Sequence, residues 1–189
     1  MNQKYIEDCM EVRIPPRWYV MRTIKGKEQE AASLLDRRID HTLWQSCRIL
    51  KKQQLFRTQG RYLLSRKDMF PGYIFIYTEF SMELAEELKK SRKFPQLVGN
   101  QLDGLVPVEE ADLYFLENVC GKNLGHDMGL STVQVDGKGC VQSANGALKP
   151  YVGRIIRQRL RHRYVTAEVP LFNRCENVLF GIRMEGDPI

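Results

Sequence analysis

Hydrophobic residues are densest along Met69-Phe70-Pro71-Gly72-Tyr73-Ile74-Phe75-Ile76-Tyr77. From Tyr73 on they fill both phases of a two-residue repeat: Tyr73, Phe75 and Tyr77 share one face, and Ile74, Ile76 and Thr78 the other. A strand apolar on both faces belongs in the middle of a covered sheet. Proline has no N–H for a ladder, so Pro71-Gly72 predicts a kinked start. Ile74, Phe75 and Ile76 are expected in the core. Phe70 and Tyr73 are expected beside the kink, where an aromatic ring can stay half exposed for a partner.

Around this strand the pattern alternates between periods. Arg17-Trp18-Tyr19-Val20-Met21-Arg22-Thr23 reads as a first strand. A helix follows from Lys27 to Ile39, with Ala31, Leu34, Leu35 and Ile39 on one face. Arg48 to Lys67 predicts a two-stranded ribbon turning at Thr58-Gln59-Gly60. After the central strand, a second helix is expected from Met82 to Lys93 with Met82, Ala85 and Leu88 inward, stopped by Pro95. Asp103-Gly104 marks a turn, and a third helix runs from Glu109 to Val119 with Leu113, Leu116 and Val119 inward. Three glycines spaced through residues 121–132 suggest a flexible linker. Beyond it come short strands without helical period: Gly139 to Gln142, Gly153 to Gln158, Tyr164 to Phe172 and Asn177 to Met184. The expected fold is α+β: a central antiparallel sheet flanked by about three helices (17–120), then a small β-barrel (133–189), after a leader over residues 1–16.

A chain of 189 residues with 43% hydrophobic content can bury a proper core in one or two domains. No apolar run approaches the roughly 20 residues that span a bilayer, and Lys4, Glu7, Asp8, Glu11 and Arg13 leave no room for a signal-peptide core. A cytoplasmic location is expected. The five cysteines are scattered without a C-x-x-C pair, which fits small core residues in a reducing compartment. Net charge is +6, which points to an acidic partner. Lys51, Lys52, Arg57, Arg61, Arg66 and Lys67 crowd the ribbon, either as guards of an exposed edge or as an arm along a nucleic-acid backbone. The densest charge is Arg157-Gln158-Arg159-Leu160-Arg161-His162-Arg163. If a strand continues there, the arginines share one face; a turn near Arg161 would gather them at a hairpin tip. Tyr151, Tyr164 and Phe172 lie nearby for base stacking.

Catalytic chemistry is poorly supported. His41, His126 and His162 accompany no nucleophile motif, phosphate-binding glycine loop or metal-ligand spacing. His126-Asp127 is the one tempting pair, and it sits in the glycine-rich stretch. Neither a cofactor nor a metal is expected.

Three features stand in one order: Trp18-Tyr19 in the first strand, Phe70-Pro71-Gly72-Tyr73 before the central one, and a terminal barrel. The barrel holds Asn145-Gly146-Ala147-Leu148-Lys149, Tyr151-Val152-Gly153-Arg154-Ile155-Ile156 and Val169-Pro170-Leu171-Phe172-Asn173-Arg174. Over residues 17–184 this resembles the bacterial NusG family of transcription elongation factors, an NGN domain followed by a KOW domain. The basic run 156–164 is most similar to that of the specialised antiterminators, LoaP in particular. Pro150 departs from the pattern, because the KOW turn usually carries a glycine there. Proline cannot take a positive φ, so this turn must be built differently.

The resemblance implies docking on the clamp helices of RNA polymerase, with Tyr19, Phe70, Pro71, Gly72 and Tyr73 at the motif positions lining the contact. It implies contact with the non-template DNA strand, for which Arg22, Lys25, Lys27, Arg57 and Arg61 are the candidates. The KOW patch (Lys149, Arg154, Arg157, Arg159, Arg161, His162, Arg163 and Arg174) suits the phosphates of nascent RNA, such as a hairpin. A ribosomal protein is a further partner that some family members use. Some members also hold the KOW domain against the NGN domain. A monomer is expected. The alternative is a ribosome-associated or general KOW RNA-binding protein that never touches polymerase.

Overall fold

A computed structural model describes residues 15–90 and 105–187. The leader up to residue 14, the end of the second expected helix, Pro95 and the Asp103-Gly104 turn lie outside the described residues.

The first half is built on a four-stranded antiparallel sheet of β1 (Arg17–Arg22), β2 (Ser46–Arg48), β5 (Tyr73–Thr78) and β6 (Leu105–Pro107), in the order β2-β5-β1-β6. Strand β5 pairs with β1 on one side and β2 on the other, the interior position its two apolar faces require. On one face Ile74 and Ile76 join Tyr19 and Met21 against residues of α1 (Glu28–Arg38) and α2 (Ser81–Lys90). On the other, Phe75 joins Trp18 and Val20 in a second cluster that includes residues of α3 (Glu110–Cys120). Helix α2 buries Leu84 and Leu88, whereas Met82, expected inward, is 73% exposed. Two residues are about 200° of helical turn, so Met82 falls opposite the Leu84/Leu88 stripe.

Between β2 and β5 the chain makes a separate ribbon, β3 (Lys51–Thr58) against β4 (Arg61–Asp68). Gln59 and Gly60 both take positive φ at its tip, the pattern of a tight type I′ hairpin turn. Arg48, expected in this ribbon, belongs to β2 in the main sheet instead.

The second half is a five-stranded curled sheet of β7 (Ser131–Val135), β8 (Val141–Ala144), β9 (Ile155–Arg159), β10 (Tyr164–Leu171) and β11 (Arg174–Met184), ordered β8-β7-β11-β10-β9. Val165, Ala167, Val169 and Leu171 are buried while Glu168 and Pro170 face out, the two-residue period of a half-covered strand. The edges of this half-barrel approach each other: the Val141 N–H donates to Gln158 Oε1 at 3.1 Å. Strand β7 had no counterpart in the hydrophobic pattern. Its first residues fall inside the stretch expected as linker, and it pairs parallel to β11.

That linker is tied down. Leu124 and Met128 are buried among its glycines. Met128 donates its N–H to the Lys51 carbonyl (2.9 Å) and accepts from the Gln53 N–H (2.8 Å), so the segment pairs with β3. Asp127 forms a bidentate ion pair with Arg66 of β4. The expectation of a free connector is thereby corrected; two apolar side chains spaced among glycines supply the anchorage that the glycines alone lack. The cluster around Phe75 continues through α3 into Val165, Val169 and Phe180, so the two sheets share one core.

Candidate functional site

The turn ahead of β5 is braced by hydrogen bonds at Phe70, Gly72 and Tyr73. The Tyr73 N–H donates to the Phe70 carbonyl at 3.1 Å, with Pro71 second and Gly72 (φ +89°) third, the residue pattern of a type II turn. A Cβ at Gly72 would also lie 3.2 Å from the Thr23 carbonyl oxygen. The Gly72 carbonyl accepts from the Thr23 N–H at 2.8 Å, and its N–H donates to the carboxylate of Glu28. Glu28 is buried at the start of α1 and also accepts from the Gly26 N–H at 3.0 Å. Burial pushes its carboxyl up, but the backbone donors and nearby Lys25 outweigh that and hold it below the ordinary range. The charge is thus kept where it braces the turn.

This turn presents Phe70 and Tyr73 on the face of the sheet opposite α1, with Pro71 exposed. Arg22, the register partner of Tyr73, lies over its ring at 5.6 Å, and Lys25 follows the turn's contact with Thr23. Tyr19 does not join them. Alternation along β1 sends it to the other face, 3% exposed beneath the helices, where Arg17 donates to its hydroxyl. Its assignment to the docking face is therefore corrected. Trp18 occupies the Phe75 face, but it is buried against Tyr77 as a core residue.

The Phe70/Tyr73 face is covered from within the chain. The hairpin joining β10 and β11 turns on Phe172 and Asn173, both at positive φ (+55° and +58°). The Phe172 ring stacks on Tyr73 (centroids 5.9 Å apart, 13°) and meets Phe70 edge-on (5.5 Å, 76°). Its N–H donates to the Asp112 carboxylate of α3 at 2.9 Å. Arg174 reaches the Tyr73 hydroxyl at 3.5 Å and pairs with Glu176. An aromatic residue held at positive φ costs about 1–3 kcal/mol, a strain that persists only where surroundings compensate it. Here Asp112 and the two rings do so. Phe172, expected to stack on RNA bases, stacks on Tyr73 instead, and the signal for this is a bulky aromatic at a tight hairpin tip.

The basic residues of the second half divide in two. Strand β9 ends at Arg159 and a 3-10 turn covers Leu160–His162, so the arginines gather at a turn rather than along one strand. Lys149, Arg154, Arg157, Arg159, Arg161 and His162 are exposed. Arg163 is not. It pairs with both carboxylate oxygens of Asp187, its side chain only 12% exposed, and its guanidinium lies 4.5 Å above the Tyr62 ring of β4. Arg163 is a clamp between the ribbon and the curled sheet, so its place in the RNA patch is corrected. Arg174 faces Tyr73 and Glu176. Tyr151 is half-buried, stacked on Phe180 and edge-on to Phe115, and the rest of its surface lines a cleft beside α3. Pro150 sits inside a 3-10 segment, Gly146–Arg154, past the positive-φ Gly146 that opens it, and the φ of about −50 to −70° that a 3-10 turn takes suits proline.

Of the remaining DNA candidates, Lys27 is paired with Glu30 at 2.7 Å. Arg57 and Arg61 are exposed at the ribbon tip on opposite faces, since Arg57 pairs across to Tyr62 and Arg61 to Thr58. Among the described residues no group of three or more His, Cys, Asp or Glu side chains is placed to hold a metal. The imidazole of His126 faces the backbone carbonyl of Asp127, whose carboxylate is held by Arg66. Cys47 and Cys120 are half-buried and buried, and burial pushes both thiols up to about 12. Cys140 and Cys175 are exposed, contrary to a mostly core role for the cysteines.

A family model described as transcription termination factor nusG matches residues 16–116, more than half of the chain. The chain belongs to the NusG family. The matched span runs from β1 into α3 and includes the whole Phe70-Pro71-Gly72-Tyr73 turn; the curled sheet lies beyond it. NusG-family proteins are transcription factors that bind RNA polymerase, and they are not enzymes. No curated protein sequence matches the chain. Among solved structures it is similar to one described as "Domain interaction in Thermotoga maritima NusG", at 16% identity and a TM-score of 0.48, covering 88% of this chain and 93% of that one. No helix among the described residues is long and apolar enough to cross a membrane.

Proposed function

We propose that this chain is a cytoplasmic, monomeric transcription elongation and antitermination factor that docks on the clamp helices of RNA polymerase through Phe70, Pro71, Gly72 and Tyr73. The reading is carried by one observation: a NusG-family span in which a braced turn offers an aromatic pair on a sheet face. Aromatic anchors at the centre of a small interface are worth about 2 kcal/mol or more each when truncated. Such a factor breaks no bonds; it favours the elongating state by binding it better than the paused one. Arg22, Lys25, Arg57 and Arg61 would meet the non-template strand. Lys149, Arg154, Arg157, Arg159, Arg161 and His162, on the curled sheet read as a KOW domain, would hold nascent RNA. Placement among LoaP-type antiterminators rests on that basic turn.

Docking and Phe172 compete for the same rings. The factor therefore works only after the β10–β11 tip leaves Phe70 and Tyr73, and the closed arrangement lowers its apparent affinity by the fraction that is open. The test is multi-round transcription by bacterial RNA polymerase through an intrinsic terminator. Wild type is expected to raise the full-length product and Phe70→Ala to lose most of that gain. No change in read-through or pausing with either protein would contradict the reading.

A further inference from the structure

A second site lies on the seam between the two halves, away from Phe70. A cleft of about 490 Å³ opens between α3 and the 3-10 segment Gly146–Arg154. Its volume falls in the range of small-molecule sites, and its walls have their composition: aromatic and apolar surface with few polar groups. One wall carries Tyr114, 73% exposed, with Asn118 one helical turn on. The other carries Pro150 and Tyr151, with Lys149 at the rim. An exposed tyrosine on a helix is ordinary by itself. Facing a second aromatic wall across a cleft, it is a stacking surface. The Tyr151 ring cannot swing away to close the gap, because Phe180 and Phe115 hold it. Lys149 has no ion-pair partner among the described residues.

We infer that this seam cleft binds a nucleoside monophosphate unit, its base between Tyr114 and the Pro150-Tyr151 wall and its phosphate at Lys149. A flat ring suits the aromatic walls, Asn118 offers both a donor and an acceptor to a base edge, and Lys149 complements one anionic group. The same unit comes either as a free nucleotide or as one residue of a single-stranded RNA. Pro150 thereby acquires a role: where a glycine would leave a mobile turn, proline stiffens one wall.

The cleft has one wall on each half, so it is complete only while the halves are together. A ligand that needs both walls stabilises the closed arrangement, and by linkage closure tightens the ligand. This consequence rests on the reading of the Phe70 face as the polymerase dock; the site itself does not. Occupancy would make the factor less available to polymerase, a nucleotide-sensed brake.

The test is calorimetric titration of the full chain with AMP, GMP, CMP and UMP, and with the tetranucleotides A4 and U4. Saturable binding is expected for at least one of these, weakened at least fivefold by Tyr114→Ala and by Lys149→Ala, both exposed positions that the fold does not need. Phe172→Ala, which loosens the seam from its far side, is expected to weaken it as well. A tetranucleotide more than tenfold tighter than the monophosphates would name RNA as the source, and comparable affinities a free nucleotide. No binding at millimolar ligand, or binding indifferent to Tyr114→Ala, overturns the site. Binding that Phe172→Ala leaves unchanged overturns the coupling. None of these readouts involves polymerase, so failure of the docking reading would register separately, as nucleotide binding that persists without any effect on elongation complexes.

Discussion

Gly181 on β11 is the position where one methyl group separates the two halves. A Cβ there would lie 2.1 Å from the Gln53 carbonyl oxygen of β3 and 2.9 Å from Leu130 Cδ2. The Gln53 atom is backbone in a paired strand, so it cannot swing aside. A carbon–oxygen contact needs about 3.3 Å, so Gly181→Ala must move β11 from β3 by about 1.2 Å. A gap of that size forfeits about half of the dispersion energy across the contact, and overpacking of this kind costs about 1–3 kcal/mol. The strand itself loses nothing, since Gly181 pairs with Tyr164 in ordinary extended geometry. The open arrangement should therefore gain about 5- to 150-fold in population. Hydrogen exchange reads this directly: the Phe172 amide, bonded to Asp112, should lose protection while the amides between β10 and β11 keep theirs. Unchanged exchange at Phe172 would refute the argument, as would loss of protection throughout β10 and β11.

Asp112→Ala removes the acceptor for the Phe172 N–H and should speed exchange at that amide by an amount matching about 1–3 kcal/mol, with the fold of the first sheet intact by circular dichroism. Arg163→Ala should cost about 3 kcal/mol in urea unfolding, because it strands the Asp187 carboxylate, yet change RNA affinity less than Arg159→Ala does. Burial raises the Asp187 carboxyl, but Arg163 and the Met184 N–H lower it further, so the net shift is downward from 3.8. A depressed folded value means its stabilisation is present above pH 3.8 and lost as pH falls through the folded value; Asp187→Asn should abolish that part of the acid destabilisation. Glu28→Ala leaves the Gly72 N–H unpaired beneath the Phe70–Tyr73 turn and should lower stability by about 1–3 kcal/mol, measured by thermal unfolding.

Much of the scaffold follows from local pattern. The two apolar faces of Tyr73–Thr78 dictate an interior strand, and Gln59-Gly60 dictates the ribbon turn. What the pattern could not supply were facts of contact between segments far apart in the chain. Asp112 looks like an ordinary acidic residue at a helix start, yet its carboxylate holds a backbone group 60 residues away. Arg163 carries the same charge as Arg159 and Arg161, and only the presence of Asp187 and Tyr62 turns it inward. Tyr19 was misplaced for a more local reason: a one-residue step along a strand reverses its face, and a motif position does not specify which face is buried. Leu124 and Met128 were legible as apolar but were outvoted by the glycines around them.

The central claim, that Phe70 and Tyr73 are the polymerase dock and Phe172 its cover, is tested most directly by the dissociation constants of three proteins for one reconstituted elongation complex. The account predicts that Phe70→Ala binds at least tenfold more weakly than wild type and that Phe172→Ala binds more tightly. Equal constants for all three proteins, or weaker binding by Phe172→Ala, would contradict it.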